Sequence, residues 1–150
     1  MCGIAGILLP TGHVDREVLD RFLDSLSHRG PDGRGTWIDE GIGLGHRRLA
    51  ILDQPPAGAS PMAYTAPDRR VLRNTINAEV YNFLELRKQL ESLGHRFRSE
   101  TDTEVVVAAW AQWGRSCLDR FNGMWAFAIW DESSRILSLS RDRFGVKPLY

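Results

Sequence analysis

The chain has 150 residues, 43% of them hydrophobic and 25% charged, which is the size and composition of one globular domain with a genuine core. Nineteen basic residues balance nineteen acidic ones, which argues against a nucleic-acid footprint or a polybasic membrane patch. Two cysteines (Cys2, Cys117) are too few for a disulfide framework or a zinc cluster, and four histidines (His13, His28, His46, His95) lack metal-ligand spacing, so no metal is expected.

In chain order, the apolar run from Ile4 to Leu8 reads as a short buried strand ended by Pro10 and Gly12. It is too short for a membrane span and has no basic run before it, so neither a signal peptide nor a membrane helix is expected, and a cytoplasmic location follows. Val14, Val18, Leu19, Phe22, Leu23 and Leu26 recur at helical spacing, with Asp15 and Glu17 at the positive end. Ser27 to Gly33 is rich in turn formers. Two short strands are expected near Gly35 to Ile38 and Ile42 to His46, and a long loop from Gln54 to Arg69. Val71 to Ile76 predicts a strand, and Val80 to Leu93 a helix stopped by Gly94. Thr101 to Glu104 has capping-box spacing ahead of a second helix that Gly114 ends. Met124 to Trp130 and Ile136 to Ser140 read as a hairpin around Asp131 to Ser134. Runs of strands and helices in this order point to an α+β fold with antiparallel sheet.

The second residue is the most informative. Removal of Met1 would make Cys2 the N-terminus, joining a thiol and a free α-amine on one residue. An N-terminal amine acting as base for its own side-chain nucleophile is a known mode of activation. An incidental cysteine at a frayed terminus is the plain alternative.

Further motifs accompany it in order. They are Ser27-His28-Arg29-Gly30-Pro31-Asp32-Gly33, Gly45-His46-Arg47-Arg48-Leu49-Ala50-Ile51 and Asn77-Ala78-Glu79-Val80-Tyr81-Asn82, then Gly94 to Phe97, Thr101 to Glu104, Gly123 to Ala128 and Arg141 to Tyr150. Together with Met1-Cys2-Gly3-Ile4 they resemble the N-terminal glutaminase domain of asparagine synthetases, a class II (type-2) glutamine amidotransferase domain, over the whole of residues 1–150. The resemblance implies an N-terminal-nucleophile hydrolase fold of stacked antiparallel sheets between helical layers (αββα). It also implies hydrolysis of glutamine to glutamate and ammonia through a Cys2 thioester.

The same resemblance assigns roles. Cys2 is the nucleophile, and Asn77 donates to the developing oxyanion. Arg48 holds the carboxylate of glutamine, Glu79 and Asp102 contact its ammonium end, and Leu49, Ala50, Ile51 and Leu52 line the pocket through their backbones. Each has a plain alternative: a turn for Asn77, a solvated strand position for Arg48, a helix start for Glu79 and helix-end electrostatics for Asp102. Arg29 and Asp32 are read as braces of the pocket, Cys117 as a core thiol, and His46 is not assigned as a base. Ala78 stands where the family has glycine, whose N–H is the second oxyanion donor. A positive φ there would strain alanine, so Ala78→Gly is expected to speed hydrolysis.

The family continues beyond these residues, and no Ser-Gly-Gly-x-Asp pyrophosphate loop is present. The domain is therefore read as incomplete at its C-terminus. ATP and magnesium are expected only on an absent synthetase domain, which is the implied partner and would amidate aspartate. A silent glutamine-binding or interaction module and a non-functional fragment are the rival readings.

Overall fold

The computed structural model describes residues 1–49 and 60–150. Its elements are β1 (Gly3–His13), α1 (Arg16–Ser25), β2 (Gly33–Arg48), β3 (Met62–Thr65), β4 (Val71–Val80), α2 (Phe83–Ser92), α3 (Asp102–Trp113), a 3₁₀ turn (Gly114–Asp119), β5 (Gly123–Asp131) and β6 (Ile136–Arg141). Strands β1 and β2 pair as one antiparallel sheet; β3-β4-β5-β6 form a second, antiparallel throughout.

Glycine alternating with larger residues in Gly41-Ile42-Gly43-Leu44-Gly45-His46 decides how the two sheets stack. Successive strand residues point to opposite faces, so Ile42, Leu44 and His46 share one and the glycines the other. Ile42 and Leu44 are fully buried against Ala128 and Trp130 of β5, which forms the contact between the sheets. On the glycine face α1 lies so close that a Cβ on Gly43 would sit 2.8 Å from Val14 Cγ1, and one on Gly45 2.9 Å from Leu23 Cδ1. Leu19 and Leu23, one turn apart, are the buried stripe that α1 presents there, and Asp15 caps the helix by accepting from Glu17 N–H at 2.8 Å.

Helices α2 and α3 cover the opposite face of the second sheet. Leu86 and Leu90 of α2 and Val105 to Ala109 of α3 bury against Leu72, Ile76 and Val80 of β4 and Phe127 and Ile129 of β5. The layers thus run α1, β1-β2, β3-β4-β5-β6, α2 with α3, which is the expected αββα order.

Several boundaries differ from the sequence expectation. The two short strands near residue 40 are one strand, β2, and Gly41 takes the bend with φ +73°. Strand β1 runs on to His13, and Pro10 lies where the register shifts between Leu8 and His13, so its missing N–H removes no regular ladder bond. β3 was expected to be loop; four residues are too few to show a period. α2 begins at Phe83 instead of Val80 because β4 continues through Val80 against β5. Asn82 leaves its cap position bare and ties α2 to the turn before β5 instead. It donates to Arg120 O at 2.9 Å and accepts from Asn122 N–H at 3.0 Å.

Candidate active site

Period-two geometry gathers the site between the sheets. Ile4 pairs with His46 and Gly3 with Arg47, so the last residues of β2 lie beside the N-terminus. From β4, Thr75, Asn77 and Glu79 share the face turned toward the first sheet, where Thr75 Oγ1 donates to Gly45 O at 2.9 Å. A cavity of about 110 Å³ opens at this junction, and Cys2, Arg48, Leu49, Asn77, Glu79 and Asp102 all line it. The structure brings together every assigned side chain that it describes. Ala50, Ile51 and Leu52 lie outside the described residues.

The half-buried Cys2 thiol is held by the chain just past β2: Leu49 N–H donates to Sγ at 3.4 Å, and Leu49 O lies 3.8 Å from Sγ. Arg29 Nε donates to the Cys2 carbonyl at 3.3 Å, and Asp32 N–H to Arg48 O at 2.9 Å, so the turn-rich loop braces Cys2 and the end of β2. Gly30 permits this approach, because a Cβ there would stand 2.4 Å from the Arg47 carbonyl carbon.

Asn77 and Ala78 lie inside a strand and not at a turn. Tyr81 N–H reaches Asn122 O on the β5 side, whereas Val80 N–H reaches Asp102 Oδ2 at 3.0 Å on the opposite edge. Alternation along the ladder directs the Ala78 N–H to the edge that Val80 uses, away from β5. Arg69 and Arg135 are the non-glycine residues with positive φ among the described residues, so Ala78 meets no strain. The alanine keeps the donor direction that the glycine would have had, and the expected gain from Ala78→Gly loses its basis.

Asp102 is the first residue of α3, buried, and fixed by the Val80 N–H. Burial pushes its carboxyl above the usual range, the Val80 hydrogen bond opposes this, and the neighbouring Glu79 charge adds to the rise. Thr101 caps the helix by accepting from Glu104 N–H, but the capping box does not close. Glu104 turns instead to the Arg98 and Ser99 N–H groups at 2.8 to 3.0 Å.

His46 also lines the cavity, and its state is determined by its neighbours. The Thr75 hydroxyl gives its proton to Gly45 O, so its oxygen accepts at 3.1 Å from a protonated His46 Nδ1. Burial, then the Arg48 charge, lowers the His46 pKa to about 4, which leaves a neutral ring. Cys117 is buried, and its thiol is pushed up to about 12 by burial, as fits a core position.

Ser60, Ile76, Thr101, Thr103 and Lys147 also line the cavity and are not among the residues that the sequence assigns, and Lys147 is the charged one. Lys147 is 3% exposed and forms part of the cavity wall beside Cys2. Its place in the apolar run Val146 to Leu149 was the available signal.

The sequence profile of the family described as "Glutamine amidotransferase domain" matches residues 1–150. The chain belongs to that family. Similar curated proteins include asparagine synthetase (glutamine-hydrolyzing) 3 of Bacillus subtilis strain 168, 39% identical over the whole chain, and asparagine synthetase (glutamine-hydrolyzing) 1 of the same organism, 36% identical. The chain covers 24% of each, about a quarter of their length. Among solved structures, the glutamine phosphoribosylpyrophosphate amidotransferase from B. subtilis, complexed with ADP and GMP, superposes on 97% of this chain with a TM-score of 0.76. That match covers 38% of the B. subtilis enzyme at 19% identity, and it shows the shared N-terminal-nucleophile hydrolase fold of this amidotransferase domain.

Proposed function

We propose that this amidotransferase domain hydrolyses the side-chain amide of glutamine as the glutaminase part of a glutamine-dependent asparagine synthetase. The observation that carries the reading is the Cys2 thiol held on Leu49 N–H in the wall of a cavity shared with Asn77, Arg48, Glu79 and Asp102.

Once Met1 is removed, the Cys2 α-amine takes the thiol proton as Sγ adds to the amide carbon. Asn77 Nδ2–H and the Ala78 N–H donate to the oxygen, which carries the negative charge. The amine passes the proton to the leaving nitrogen, ammonia departs, and water cleaves the thioester to glutamate. Arg48 matches the glutamine carboxylate with a guanidinium fork, and Glu79 and Asp102 face its ammonium. The backbones of Leu49, Ala50, Ile51 and Leu52 complete the pocket. Residues 1–150 would then act in the cytoplasm with a synthetase domain that amidates aspartate using ATP and magnesium.

The test combines an intact-mass spectrum with labelling by the glutamine analogue diazo-oxo-norleucine. The expected result is loss of Met1, one adduct on Cys2, and no adduct or glutaminase activity in Cys2→Ala. Retained Met1 would sink the amine's role as base. Glutamine binding without an adduct would favour the silent module.

A further inference from the structure

Lys147 has no part in the reading above, and its environment is unusual for a lysine. The residue is 3% exposed, and its ammonium has no hydrogen-bond or ion-pair partner among the described residues. An ammonium set in a cavity wall without a partner is placed to meet an anion that enters there.

Its position is imposed by the chain around it. Asp142 is buried and spends its carboxylate on four backbone N–H groups: Trp125 at 3.3 Å, Phe144 at 3.1 Å, and Val146 and Lys147 at 2.9 Å each. Gly145, at φ +64°, lets the turn close around that carboxylate. The turn is thereby stapled to β5 at Trp125, the ladder partner of Ala78. Lys147 lines the same cavity as Cys2, Asn77 and Ala78.

The other groups at the site have uses. Arg29 holds the Cys2 carbonyl through Nε and, although its Nη2 is buried without a partner, it does not line this cavity; His46 is neutral, Arg48 faces a carboxylate, and Glu79 and Asp102 face an ammonium. Asp142 lies behind the Lys147 backbone with its oxygens already engaged. Glutamine brings one carboxylate and one ammonium, so Lys147 is left for charge that the reaction itself creates.

We propose that Lys147 is a further electrostatic residue of amide hydrolysis, its ammonium facing the negative charge that builds on the amide oxygen as Cys2 adds to the carbonyl. This rests on the glutaminase reading. One cation fixed in the protein wall acts more strongly than it would in bulk solvent.

The experiment compares the full chain with Lys147→Met and Lys147→Arg. Methionine fills similar volume and removes an unpaired charge from the cavity wall, so its unfolding temperature is expected to be no lower than wild type. The first readout needs no turnover: the alkylation rate of Cys2 by anionic iodoacetate relative to neutral iodoacetamide, read on the Cys2 peptide. That ratio is expected to fall roughly fivefold in Lys147→Met and to recover in Lys147→Arg. The second is hydrolysis, where kcat for glutamine should fall about 10²-fold with KM unchanged. An unchanged alkylation ratio, a rise in KM alone, or a lowered unfolding temperature in Lys147→Met overturns the proposal. A wild type that alkylates at Cys2 but never hydrolyses glutamine defeats the glutaminase reading instead, and the alkylation ratio then decides whether the Lys147 charge reaches the nucleophile.

Discussion

Burial of Asp102 puts its carboxyl where water solvates it poorly, and the rise in its pKa, to which the Glu79 charge adds, reports that penalty. Because the folded pKa is raised, this group's contribution to stability is complete at low pH and is lost as pH rises through the folded value. Asp102→Asn keeps an oxygen for the Val80 N–H and removes the charge. Its unfolding temperature should exceed that of wild type at pH 7, with the advantage vanishing in acid. The same change removes an anion from the ammonium end of glutamine. An increase of about tenfold or more in KM follows, since a hydrogen bond to a charged group contributes about 1.5–3 kcal/mol. Thermal melts across pH and steady-state kinetics check the pair; a variant that neither gains stability nor loses affinity would remove Asp102 from the clamp. Local pattern alone shows Asp102 as a helix-start acid, and only the resemblance gives it a place at the ammonium end of glutamine. That its carboxylate reaches the edge of β4 depends on how α3 docks, which no local pattern encodes.

Strand β4 shows how tertiary pairing overrides local signals. The polar segment Asn77-Ala78-Glu79 looks like a strand end, yet it is paired residue for residue with Ala126, Trp125 and Met124 of β5. Nine consecutive pairs from Leu72 to Val80 hold the backbone extended where propensity alone would release it. The extended backbone is also what makes Ala78 harmless. Its methyl packs against the core that contains Ile76, Val80 and Val105. Ala78→Gly should therefore leave glutaminase kcat unchanged while lowering stability by about 1 kcal/mol, from lost strand rigidity and the deleted methyl. Denaturant melts and initial rates measure both. A marked rise in kcat would mean that the Ala78 N–H is misdirected after all.

The two sheets are joined across the site by the run from His46 Nδ1 through Thr75 Oγ1 to Gly45 O, so the ionisation of His46 bears on the whole stack. The His46 pKa is depressed from 6.5 to about 4, so its contribution to stability is present above 6.5 and is lost as pH falls through about 4. One group shifted this far makes the folded state roughly 3 kcal/mol less stable over that interval. Urea titrations between pH 7 and pH 4 should show this decline, and His46→Gln should flatten it. An equally steep profile in the variant would assign acid lability to other groups.

Read on its own, the chain shows a cysteine that removal of Met1 would leave N-terminal, the Thr101 helix start, the hairpin of β5 and β6 and the ordered motifs that mark a glutamine amidotransferase domain. Those features rest on residue type and short spacing, such as a cysteine able to become N-terminal or a threonine three residues before a glutamate. What needed the folded molecule is everything that depends on neighbours far apart in sequence. Leu49 meets the Cys2 thiol across 47 positions, and Thr75 fixes the His46 ring across 29. Asp142 reaches back 17 positions to Trp125, which brings Lys147 into the cavity wall. Burial, protonation state and the direction of a strand's N–H arise from packing between layers, and packing is a property of surfaces that meet only once the chain has folded.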